Sequence, residues 1–351
     1  MATFQQSSDH RNILSLKVFC LKAIGKQPSA HIDASRIERA RLIMPVGGED
    51  KFDFAQELID YITEAGRYVD ETLPPSLFSN TNKGPRNVLR LANTKVTADY
   101  LARCMSSCPF LQILDLSGCF QVSNSTILTI GEQCPDIRSL NFRNCRRLTD
   151  AALEAFTGGS RGTQRYGKLC ALNIGGVVNI SHDGIISFLK GFSRVPDMTE
   201  LHLSGTAISD VTLQVLGERC KCLTGLSIGY ADVSETAVRK LLDITGRKLE
   251  VLNISWLCTT NNCENTQLSV DFVIDFLPHR CCMLSELDVS GLRSVSIPCL
   301  AQYLDTTIQK AEAFPKEARA IQLIRAKFVQ SPKVQIEQQL APAYPNVQFI
   351  C

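Results

Sequence analysis

The stretch "LDLSGCFQVSNSTILTIGEQCPDIRSLNFRNCRRLTDAALEAF", Leu114–Phe156, decides the fold. With the three residues before it, the stretch holds one nonapeptide pattern, Leu-x-x-Leu-x-Leu-x-x-Cys, in two copies. They are "LQILDLSGC" (Leu111–Cys119) and "IRSLNFRNC" (Ile137–Cys145), and they start 26 residues apart. Apolar residues at positions four and six alternate with residues at three, five and seven that are polar in every case but Ile113, the period of a strand with one buried face. After each nonapeptide the period changes. Ile127, Ile130 and Cys134 in one unit, and Leu153 and Phe156 in the next, recur at helical spacing.

Degenerate copies extend the pattern both ways: "RNVLRLANT" from Arg86, "LCALNIGGV" from Leu169, "MTELHLSGT" from Met198, "LTGLSIGYA" from Leu223, "LEVLNISWL" from Leu249 and "LSELDVSGL" from Leu284. Successive starts lie 25 to 35 residues apart. The shorter spacings fall in the roughly 20–29-residue range of leucine-rich repeats. The longer gaps hold the Gly-rich "GGSRGTQRYG" (158–167) and the Asn/Thr-rich "CTTNNCENTQ" (258–267), both suited to surface loops. Ser123, Thr149, Ser181, Ser209 and Ser234 stand where helix N-caps belong. The expected fold is an α/β leucine-rich-repeat solenoid, a horseshoe with parallel strands on the concave face and helices on the convex face. No single unit closes its own core, and stacked neighbours complete it. The cysteine at position nine is replaced elsewhere by Thr94, Val177, Thr206, Ala231, Leu257 and Leu292, an exchange that suits packing better than metal ligation.

"L-x-L-x-x-C" in the strand, "CP" closing the helix and "LTDAAL" opening the next one resemble the cysteine-containing repeats of F-box proteins. That resemblance covers residues 86–292, and among such proteins the chain resembles the antagonist of mitotic exit network family. The resemblance implies substrate recognition for an SCF-type cullin ubiquitin ligase, the repeats holding a target while an F-box holds the adaptor. Residues 1–80 carry two readings. "ILSLKVFCLKAIGK" (Ile13–Lys26) and "LPPSLF" (Leu73–Phe78) fit a divergent F-box-like region that meets the adaptor through residues 13–78. "FDFAQELIDYITEAG" (Phe52–Gly66) fits a helical N-terminal cap equally well. The repeats occupy 86–310. Within 311–351, "EARAIQLIRAKFV" is expected to be a helix, and "YPNVQFIC" the strand of a truncated capping repeat.

Composition narrows the function classes. In 351 residues, 37 Lys and Arg face 35 Asp and Glu, a net charge of +2 that gives no basic footprint for nucleic acid. No apolar run of about 18 residues and no secretory signal are read, so the expected location is cytoplasm or nucleus, with no membrane partner. Fifteen cysteines without a signal point to reduced thiols. The densest group, Cys258, Cys263, Cys281 and Cys282 near His279, lacks the familiar zinc spacings. Ser181, His182 and Asp183 are sequence neighbours, which does not make a triad. "GGSRG" matches no phosphate-binding motif, and Arg146 with Arg147 reads as a solvated pair. No catalytic residue, cofactor or metal is assigned.

The expected site is the concave face, for a protein partner. Its candidates at position five are Arg90, Asp115, Asn141, Asn173, His202, Asn253 and Asp288, with Arg143 at position seven. Small residues between them would leave room for a partner's side chains. At the rim stand Tyr230 and Trp256, the only tryptophan, read either as binding anchors or as covers for the adjacent turn.

Overall fold

In the computed structural model each nonapeptide forms a three-residue strand followed by a tight turn and a helix. The structure describes residues 80–81, 84–158, 165–257, 268–329 and 333–351. Nearly all of 1–80, with both readings placed there, and the whole of 258–267 lie outside the described residues. The chain divides into two units, Met1–Ile137 and Arg138–Cys351.

In the first unit a two-stranded antiparallel hairpin, β1 (Asn80–Thr81) and β2 (Gly84–Pro85), precedes the repeats. β3 (Val88–Arg90) and β4 (Ile113–Asp115) then pair in parallel, with Leu89 opposite Leu114. Helices Ala98–Ser106 and Asn124–Gln133 follow their strands.

In the second unit eight strands form a parallel sheet in sequence order: β5 (Ser139–Asn141), β6 (Ala171–Asn173), β7 (Glu200–His202), β8 (Gly225–Ser227), β9 (Val251–Asn253), β10 (Glu286–Asp288), β11 (Leu323–Arg325) and β12 (Gln348–Ile350). The register never slips. Leu140, Leu172, Leu201, Leu226, Leu252, Leu287, Ile324 and Phe349 lie in one row. A slip of one residue would turn this apolar row to solvent, so burial fixes the register. Positions four and six of all eight nonapeptides are at most 1% exposed, from Leu89 and Leu91 to Leu287 and Val289. Their helices cover them with Ile185, Phe188 and Leu189, or with Leu213 and Leu216. Tyr166, at the end of the 158–167 segment, is buried against Phe156 with ring centroids 4.5 Å apart.

One expectation is overturned. Residues 317–329 are not a helix: "IQLIRAKFV" from Ile321 is another copy of the nonapeptide, its Leu323–Arg325 forming β11 between β10 and β12. Ile321, Ile324 and Ala326 are buried where positions one, four and six belong. The composition favours a helix locally, but only the extended form satisfies the open edge of β10 and fills its core row. The helix of this repeat is Lys333–Ala343.

All five expected N-caps are N-caps, and Thr97 and Ser296 add two more. In the second unit the caps also join neighbouring repeats. The first helical residue of one repeat holds the cap of the next. Asp150 accepts the Ser181 N–H (2.7 Å) and hydroxyl (2.5 Å), and Asp210 accepts the same pair from Ser234 (2.7 Å each). Glu235 does so for Ser269, at 2.6 and 3.0 Å. An acid at this place also faces the positive end of its own helix.

Candidate protein-binding surface

The sheet face opposite the buried leucines carries positions three, five and seven. Arg90 and Asp115 stand there in the first unit; Asn141, Arg143, Asn173, His202, Asn253 and Asp288 stand there in the second. Most position-five side chains have a local task. Asp115, Asn141, Asn173, Asn253 and Asp288 each accept the N–H of their own position seven, at 2.9 to 3.1 Å. This is an Asx turn that ends the strand. His202 lies 3.8 Å from Glu200 through Nε2, and the imidazole beside it holds the Glu200 carboxyl below its ordinary value.

At Gly225 and Gly229 the space is already taken by the chain's own atoms. A side chain built on Gly229 would meet Ser255 at 2.6 Å and Asn253 at 2.9 Å, and one on Gly225 would meet Glu200 at 3.1 Å. Ser227, Ser255 and Ser290 are buried, and the Ser204 and Ser227 hydroxyls are 2.5 Å apart. Strands less than about 5 Å apart let each long side chain lie over its small neighbour.

His182 belongs to the cap ladder. It takes the place of the acid at the start of its helix, with Nδ1 3.0 Å from the Ser209 hydroxyl and 3.1 Å from that of Thr212. The Ser181 hydroxyl receives the Gly184 N–H and donates to Asp150. Both side chains are thus engaged in capping contacts between helices.

Eight of the twelve described cysteines are core. Cys119 and Cys145 at position nine are buried, and the Cys119 thiol donates to the Leu91 carbonyl at 2.9 Å. Burial pushes the helix-end thiols of Cys134, Cys220 and Cys281 up to about 12 and Cys108 up to about 11. Neutral thiols are poor nucleophiles and poor ligands. Cys258 and Cys263 lie outside the described residues. Among the described residues no group of three or more His, Cys, Asp or Glu side chains is arranged to hold a metal ion.

The rim is where the surface departs from its own pattern. Position eight turns the chain out of the strand with a positive φ in all nine nonapeptides: Asn93, Gly118, Asn144, Gly176, Gly205, Tyr230, Trp256, Gly291 and Phe328, between 53° and 75°. Glycine and asparagine accept this conformation readily; other side chains crowd the following carbonyl. Yet three repeats place aromatic rings there. The Tyr230 and Trp256 amides are tied down by the Ser255 and Ser290 carbonyls of the next repeats, at 2.8 Å each. Tyr230 stacks on Trp256 (centroids 5.8 Å, planes 20° apart), and Trp256 leans across Gly291 to reach Phe328 (5.7 Å). The rings are 60%, 38% and 77% exposed. Tyr230 and Trp256 were legible from the sequence. Phe328 was missed because its segment reads as a helix, although Ile-x-x-Ile-x-Ala ahead of it is the repeat signal.

Over 86 residues the chain is 30% identical to Antagonist of mitotic exit network protein 1 of Eremothecium gossypii, a stretch that makes up 24% of this chain and 22% of that protein. The chain is built of leucine-rich repeats. The match therefore spans about a fifth of the length of the curated relative. The crystal structure of the Rad7 and Elc1 complex in yeast is similar with a TM-score of 0.48 at 12% identity, over 98% of this chain and 94% of that one. No protein-family model matches the chain. Among the described residues, no helix of the leucine-rich repeats or beyond them is long and apolar enough to cross a membrane.

Proposed function

We propose that this leucine-rich-repeat chain is a non-catalytic protein-binding scaffold of the cytoplasm or nucleus that presents a protein target to an SCF-type cullin ubiquitin ligase. The observation that carries the binding role is the in-register sheet of the second unit, a rigid polar face bordered by exposed aromatic rings. Rigid strands hold such rings at little entropic cost, and aromatic residues dominate binding hot spots. The ligase role rests on the resemblance of the repeats to those of F-box proteins, with residues 13–78 as the adaptor contact. A second reading, a ligase-independent inhibitor that sequesters a signalling protein, is favoured by the name of the relative that matches over 86 residues, an antagonist.

Co-purification separates the two. The full chain should retain the ligase adaptor, and a variant lacking 1–80 that keeps its circular dichroism should lose it. Protein targets recovered without adaptor favour the inhibitor. A full chain that retains neither would refute the scaffold itself.

A further inference from the structure

The aromatic rim has a chemistry that selects its occupant. We propose that Tyr230, Trp256 and Phe328 form a continuous anchor for an acidic-apolar segment of the partner, one that sets apolar side chains on the rings and carboxylates beside Phe328. The proposal rests on the protein-binding reading above and names the kind of partner.

The rings are not needed by the core. The residues that follow two of them, Ala231 and Leu257, are buried and already close the core beneath the turn. Six of the nine nonapeptides fill position eight with Gly or Asn, so the turn itself asks for no ring. Aromatic residues held in a left-handed conformation and turned to solvent are strain kept at a surface, and such strain gathers at binding sites. Continuity is built in. A Cβ on Gly291 would sit 2.3 Å from the Trp256 ring, so only glycine at 291 lets the indole bridge two repeats to Phe328.

Charge gives the direction. Lys327, exposed, adjoins Phe328 in sequence, and Arg325 stands two residues before it at the end of β11. Of the acids on the same strands, Glu286 is paired with Arg325 at 3.2 Å, and Asp288 holds the Ser290 N–H at 3.0 Å. Lys327 is exposed, and its ammonium makes no ion pair among the described residues. At the Tyr230 end the nearest charge in sequence is the acid Asp232. A segment lying along the rings thus gains by placing carboxylates at Lys327 and loses by the reverse.

Trp256 is the sole tryptophan, so the anchor carries its own reporter. The full chain is titrated with a synthetic peptide of roughly twelve residues alternating Phe or Leu with Asp or Glu, and with its Lys-for-acid counterpart. Expected is a saturable blue shift of emission with the acidic peptide, about tenfold weaker with the basic one. Lys327→Glu should invert this preference. The double variant Tyr230→Gly/Phe328→Gly should bind at least about tenfold more weakly while melting as the parent does, because glycine suits both backbone sites. Absence of a saturable shift, a preference for the basic peptide, or full binding by the glycine variant overturns the proposal. A shift that depends on protein concentration alone, with dimer in sedimentation, assigns the ridge to a second copy and overturns it too. If the glycine variant keeps its cellular partners, the ridge assignment fails and the scaffold survives; if the intact chain has none, the scaffold fails.

Discussion

Gly291→Ala is the sharpest probe of the ridge. The new methyl would meet Trp256 Cδ2, Cε2 and Cε3 at 2.3, 2.6 and 2.7 Å, so the indole must leave. Three contributions set the size. Alanine at φ +75° costs about 1–2 kcal/mol. Losing the two ring contacts of Trp256 costs about 0.5–1.5 kcal/mol each. The stiffer unfolded chain returns about 0.4–1 kcal/mol. The net loss is about 2–3 kcal/mol. Gly205→Ala is the matched control: its φ is +69°, and its methyl would find no atom nearer than 3.6 Å. It should lose only about 1 kcal/mol, the backbone contribution less the chain-entropy return. Urea unfolding followed by circular dichroism measures both losses, and tryptophan emission in the native state reports the indole. Only the 291 variant should shift to the red. Equal losses with unchanged emission in both variants would show that the indole does not lie over Gly291.

Three other outcomes follow from the core and the caps. Iodoacetamide at pH 8, read by peptide mass spectrometry, should label the half-buried Cys170, Cys222 and Cys282 well before Cys134, Cys220 and Cys281, whose buried thiols are pushed up to about 12. Asp210→Ala should cost about 1–2 kcal/mol by removing two hydrogen bonds to Ser234, and hydrogen exchange should rise at the start of helix Glu235–Thr245 rather than throughout. Burial opposes the charge on Glu235, but the Ser269 N–H, Arg239 and the Ser269 hydroxyl outweigh it and hold the carboxyl below its ordinary value. A depressed folded-state value stabilises above the unfolded one and is lost as the pH falls through the folded one. The stability gap between the parent and Glu235→Gln should therefore be full near neutrality and close below about pH 4.5.

The sequence by itself determined the repeat, the buried row from Leu140 to Leu287 and the helix caps, because each is a local demand: alternation needs one buried face, and a helix start needs a hydroxyl or carboxylate within a turn. It also placed the position-five side chains on the sheet face. Tertiary structure alone decided what those side chains were free to do. Asn141, Asn173 and Asn253 look like binding groups until the turn that follows each strand takes their oxygens, and Gly225 and Gly229 look like pockets until the neighbouring strands lay Glu200 and Asn253 across them. Residues 321–329 became a strand because a sheet edge and an apolar row outweigh local helix preference, and that decision carried Phe328 to Trp256 across 72 residues of chain. Side-chain period is a property of neighbours along the chain; the ridge is a property of neighbours across repeats, which no local pattern encodes.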